Sequence, residues 1–166
     1  MLQVRITQER IDAAALLDAF ASDDDGVGAV VSFTGKARGG AVSALELEHY
    51  PGMTERQIEA SMDSAARRWP LRAMEVVHRV GLLEPGETIV WVGAASAHRA
   101  AAFNACEFVM DFLKIAAPFW KRERDRDGRW QWVEARDADL QRARRWGLGT
   151  SADEAATYIV DRDNAS

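Results

Sequence analysis

Two hydrophobic periods interleave along this chain, and a fold has to satisfy both. Over residues 44–50 apolar and polar side chains alternate singly, with Leu45, Leu47 and His49 against Glu46, Glu48 and Tyr50, which is the period of a strand with one wet face. Pro51-Gly52 breaks that pattern. Over residues 54–69 the positions Ile58, Met62, Ala65, Ala66 and Trp69 recur at helical spacing until Pro70 stops them. The exchange continues elsewhere. Residues 2–6, 27–33, 74–80 and 88–92 read as strands, the last two separated by a turn at Glu84-Pro85-Gly86. Residues 11–20 read as an alanine-rich helix ending before the acidic turn Asp23-Asp24-Asp25, and a long helix runs from Ser96, as its N-cap, to about Ala116. Residues 119–124 and 130–133 flank Asp127-Gly128 as a hairpin, and residues 138–146 form a last short helix. Helices and strands interspersed with hairpin signals predict an α+β fold, not a doubly wound parallel sheet.

At 166 residues and 48% hydrophobic content the chain closes one sizeable core. Residues 1–146 are expected to form a single domain. Residues 147–166 are rich in Gly, Ser, Ala and Asp, with Tyr158, Ile159 and Val160 as their one apolar cluster, and are expected to be a mobile or conditionally docked tail. No apolar run approaches a membrane span and the first residues lack a signal-peptide pattern, so a soluble, cytoplasmic protein without membrane contact is expected. A lone cysteine, Cys106, makes no internal disulfide. The net charge of -5 argues against nucleic-acid binding, although basic residues crowd positions 121–145 and leave room for a local anion pocket.

Lysine is nearly absent. Of 21 basic residues only Lys36, Lys114 and Lys121 are lysines. Arginine supplies positive charge almost everywhere, so the remaining lysines are candidates for what arginine cannot do: act as a compact ammonium that gives up or takes a proton. Lys36 and Arg38 follow Gly35 at a strand end, on one face. Lys121 shares a strand face with Phe119 and Glu123, with Trp120 and Arg122 on the other face. Lys114 falls near a helix C-terminus, where a cation is also favoured by the dipole. His98 and Arg99 open the same helix, where free amides and the dipole attract a phosphate or carboxylate.

Arg99 and Lys114 are separated by about 22 Å along one helix axis. A single small substrate cannot reach both within one chain, so a shared site implies a symmetric dimer. Phosphate-loop, dinucleotide-binding and nucleophile-elbow motifs are missing, and His49, His78 and His98 lack metal-ligand spacing. No metal and no cofactor are expected, and His49 and His78 read as strand histidines satisfied locally.

Residues 31–38 (VSFTGKAR), 47–53 (LEHYPGM), 96–99 (SAHR), 108–114 (FVMDFLK), 117–123 (APFWKRE) and 132–136 (WVEAR) resemble, in order, the family of large, catalytic subunits of molybdopterin synthase. The resemblance implies an α/β hammerhead-type fold with an additional antiparallel β subdomain. It also implies a homodimer flanked by two small ubiquitin-like sulfur-carrier subunits, a heterotetramer in which each carrier inserts a C-terminal Gly-Gly thiocarboxylate. The implied reaction transfers two sulfurs to cyclic pyranopterin monophosphate, forming the dithiolene of molybdopterin in molybdenum cofactor biosynthesis. Carried over by position, Lys114 and Lys121 are the catalytic pair. Lys36, Ala37, Arg38, His98, Arg99, Arg122, Glu123 and Arg136 are substrate-binding.

A rival reading uses the same cations only as charges, in a non-catalytic module that binds a phosphorylated small molecule or a partner's acidic C-terminus. Lysine-to-arginine substitutions separate the two readings, because a charge-only site tolerates them.

Overall fold

A computed structural model describes residues 1–21, 24–133 and 137–147. The chain runs β1 (Leu2–Thr7), α1 (Ala13–Ala19), β2 (Ala29–Lys36), β3 (Val42–His49), α2 (Met53–Arg68), β4 (Leu71–Arg79), β5 (Gly81–Leu83), β6 (Thr88–Ser96), α3 (Arg99–Ile115), β7 (Phe119–Asp125), β8 (Trp130–Trp132) and α4 (Asp137–Arg144). The strands form two four-stranded sheets, β1-β4-β6-β2 and β5-β3-β7-β8. In the first, β1 lies parallel to β4 and the other pairings are antiparallel; the second is antiparallel throughout. This is the expected α+β class, with an additional antiparallel sheet beside the helix-covered one.

The first sheet is covered on both faces. Ile58, Met62 and Ala65 of α2 and Ala105, Phe108, Val109 and Phe112 of α3 bury one face together with Met74, Val76, Val92 and Ala94. On the other face Phe20, Ala73, Val77, Trp91 and Ala95 form a smaller core, with Ile11 and Leu16 packed on it. The second sheet keeps one wet face, as its alternation requires: Leu45 and Leu47 are buried with Leu83 and Ala37, while Glu48 is exposed.

Local chemistry sets the helix ends. Asp12 caps α1 by accepting from the Ala14 and Ala15 amides, each at 3.1 Å. Glu55 reaches back to the Gly52 N–H at 2.7 Å and fixes the start of α2. The expected cap of α3 is corrected: Ser96 closes β6, and His98 takes the N-cap position without a side-chain bond. Ser96 Oγ instead donates to Pro70 O (2.7 Å) and accepts from His98 N (3.1 Å), tying the strand end to the start of β4.

Two further differences have packing causes. Strand β6 extends past Val92 through Gly93, Ala94 and Ala95 because small residues are needed there; a Cβ on Gly93 would lie 2.4 Å from the Trp91 ring. Strand β5 is only three residues long and has no period of its own to reveal it; pairing with β3 makes it a strand. Beyond Gly147 the expected tail lies outside the described residues.

Candidate active site

The two sheets meet along a cleft of about 840 Å³ at the C-terminal end of α3. Its lining includes four cations from different parts of the fold and one carboxylate, Asp139. Lys36 ends β2, Arg38 follows in the next loop, Lys114 lies in the last turn of α3, and Lys121 projects from β7. Deeper in, Leu45, Leu47, Val90, Leu113 and Phe119 line it with His78. A volume of this size suits a small heterocycle together with an extended peptide end.

The loop bearing Lys36 and Arg38 is held rigidly. Ala37 donates to Glu87 O at 2.9 Å and accepts from Gly86 N at 2.8 Å. The Glu87 carboxylate in turn accepts from Glu84 N (2.8 Å) and Arg10 Nε (2.8 Å) and forms an ion pair with Arg79 Nη1 (3.1 Å). The Glu84 amide first, and the two arginines after it, hold that carboxyl down to about 2. The methyl of Ala37 is buried among Leu45, Leu47 and Leu83, so this residue acts on the site by anchoring its neighbours.

Several cations outside the cleft are paired. Arg10 and Arg79 meet Glu87, Arg72 meets Asp24, Arg122 meets Glu46, and Arg145 meets Glu107 and Asp111. Lys121 contacts Glu123 at 2.8 Å, a partly exposed pair of small worth. Lys36, Arg38 and Lys114 have no carboxylate within ion-pair distance among the described residues. Unbalanced positive charge at the rim of an apolar cleft is a receptor for anions.

The remaining expected site residues fall elsewhere. Arg122 occupies the opposite face of β7, paired with Glu46 and lying over the Trp130 ring at 4.9 Å. Glu123 shares the Lys121 face. His98 and Arg99 are exposed at the far end of α3, away from the cleft of their own chain. Arg136 lies outside the described residues.

His78 is the cleft residue whose importance the sequence concealed. Its Nδ1 sits 2.9 Å from Arg79 O and its ring stacks on Phe119 with centroids 3.9 Å apart. Burial, assisted by Lys114 and His49, lowers it to about 4, so it is neutral at physiological pH. A histidine inside the apolar run of residues 74–80 was the available signal. Gln57 also lines the cleft and leaves its buried Oε1 without a partner.

A two-sheet α+β domain with amines and unpaired cations gathered over a partly apolar cleft has the features of a receptor for small anionic groups. The family model described as MoaE protein matches residues 6–116. A molybdopterin synthase catalytic subunit from Mesorhizobium japonicum is 53% identical over 146 residues, covering 86% of this chain and 92% of the relative. A solved molybdopterin biosynthesis MoaE protein from Burkholderia ambifaria superposes with a TM-score of 0.77 at 45% identity, covering 90% of this chain and all of the other. One chain of the solved complex of subunits 1 and 2 of molybdopterin-converting factor from Helicobacter pylori shares the fold at a TM-score of 0.69 and 20% identity, covering 80% of this chain and 91% of that one. The chain belongs to the MoaE family, the catalytic subunits of molybdopterin synthase, and is an enzyme of molybdenum cofactor biosynthesis.

Proposed function

We propose that this chain transfers sulfur from the C-terminal thiocarboxylate of a small ubiquitin-like carrier subunit to cyclic pyranopterin monophosphate, giving the dithiolene of molybdopterin. The observation that carries the reading is the convergence of Lys114, from helix α3, and Lys121, from strand β7, on one cleft that Lys36 and Arg38 also line. The thiocarboxylate and the cyclic phosphate are both anions, and the cleft presents three cations, Lys36, Arg38 and Lys114, without an ion-pair partner among the described residues. An extended Gly-Gly tail, lacking side chains, fits beside the apolar lining and displaces water from around the amines.

For each sulfur, a new C–S bond forms at a pterin side-chain carbon as a C–O bond to that carbon breaks, the oxygen leaving as water or with the opened phosphate ester. The carrier's acyl C–S bond then breaks. Water adds to the acyl carbon, and the carrier departs as a carboxylate. Lys114 exchanges protons with the attacking and departing groups, and Lys121, braced by Glu123, assists at the opposite wall. Arg99 and His98 lie about 22 Å from Lys114 along α3. They serve the cleft of a second copy, so that a homodimer holds two shared sites and binds two carriers.

The test is product formation from cyclic pyranopterin monophosphate with a thiocarboxylated carrier, comparing wild type with Lys114→Arg at matched folding. Loss of roughly 100-fold or more in rate is expected, because arginine keeps the charge but not the transferable proton. Equal turnover would leave Lys114 as a mere charge and defeat the mechanism.

A further inference from the structure

The cleft lies between two bodies. Lys114 rides on α3, which packs on the first sheet, and Lys121 rides on β7 of the second. Their relative placement depends on how those bodies touch. One contact inside the cleft joins them: the His78 ring, near the end of β4, lies nearly parallel (16°) on the ring of Phe119, the first residue of β7. Phe119 and Lys121 share one face of β7, so the ring stack lies next to the amine along the strand.

The imidazole is also fixed in its tautomer. The Arg79 carbonyl only accepts, so Nδ1 carries the hydrogen and Nε2 keeps its lone pair. Among the described residues no group bonds Nε2, and His78 lines the same cleft as Lys114, the first of the two charges that bear on the ring. We propose that His78 is a positioning residue for sulfur transfer. With Nε2 it accepts a hydrogen bond from the Lys114 ammonium and so orients that amine in the cleft.

Orienting a long, mobile ammonium needs an acceptor, and a carboxylate there would cancel the charge that draws the anionic substrates. An imidazole held neutral by burial orients the amine without adding negative charge. This inference rests on Lys114 being the reacting amine, and its test keeps the two claims apart.

Wild type, Lys114→Ala, His78→Phe and His78→Gln are compared in the complex with the thiocarboxylated carrier, measuring kcat and the KM for cyclic pyranopterin monophosphate. Phenylalanine keeps the ring stack and removes both nitrogens; glutamine places an acceptor oxygen near the position of Nε2. His78→Phe should fold and bind substrate with KM within about twofold, yet lose at least about tenfold in kcat. His78→Gln should recover most of that loss. Full kcat in His78→Phe, or equal losses in the two variants, overturns the proposal while an inactive Lys114→Ala leaves the amine mechanism standing. Normal turnover by Lys114→Ala, or an inactive wild type, overturns the amine mechanism and this inference with it.

Discussion

Acid should destabilise this protein through His78 by an amount that can be calculated. The buried imidazole titrates at about 4, against an ordinary value of 6.5 in an unfolded chain. The unfolded state therefore binds a proton first as pH falls. The stability that His78 contributes is fully present above 6.5, is lost progressively from there down to about 4, and falls no further below that. At 1.36 kcal/mol per pKa unit the loss amounts to about 3 kcal/mol. His78→Phe removes this titration but also removes the hydrogen bond to Arg79 O, costing about 1 kcal/mol at every pH. Wild type should thus be the more stable by about 1 kcal/mol at pH 7 and the less stable by about 2 kcal/mol at pH 4. Denaturant unfolding of both proteins at several pH values measures this directly. The carboxylates, Glu87 included, titrate in both and cancel in the difference. Parallel curves across pH 4–7 would refute the burial argument, since the gap must change with pH if the imidazole is held neutral.

Two other perturbations follow from the fold. If each cleft draws Arg99 from a second copy, mixing Lys114→Ala with Arg99→Ala subunits gives hybrid dimers with one intact site. About a quarter of wild-type activity should return, although each variant alone is inactive; mixtures no more active than the parents would place the complete site within one chain. Gly93→Ala drives a methyl into the fully buried Trp91 and should lower unfolding stability by roughly 1–3 kcal/mol in a thermal or denaturant melt, whereas unchanged stability would mean that this core is looser than it is built.

The long elements were legible because their periods were clean. Helix α2 and strand β3 fall within two residues of the positions that alternation and helical spacing assign them. Where tertiary contacts decide, the sequence was silent: β5 becomes a strand only against β3, and Ser96 spends its hydroxyl on Pro70 and the His98 amide instead of capping α3. The lysines stood out by their rarity, and the face assignment along β7 was correct, with Lys121 beside Glu123 and Arg122 on the other side. His78 was read as a locally satisfied strand histidine. That is true of its Nδ1, but the Phe119 ring beneath it is forty-one positions away and follows no local pattern.

Charge pairing joins these observations to function. A protein with eighteen arginines and twenty-six acidic residues has ample means to neutralise its cations, and the arginines at Glu87, Asp24, Glu46 and Asp111 are neutralised. Lys36, Arg38 and Lys114 converge on one cleft, and none of them has a carboxylate within ion-pair distance among the described residues, although Asp139 also lines the cleft. Mutual repulsion there works against folding and persists because the surroundings hold the groups in place: the Glu84–Glu87 turn fixes the loop, and α3 is buried along most of its length. The bound state removes the repulsion. Two anionic groups entering together neutralise the rim, and the apolar lining then strengthens each contact by excluding water. Each anion also removes part of the charge that draws the other. By charge alone, substrate and carrier should each bind less tightly in the presence of the other than alone, a coupling that raised ionic strength should weaken.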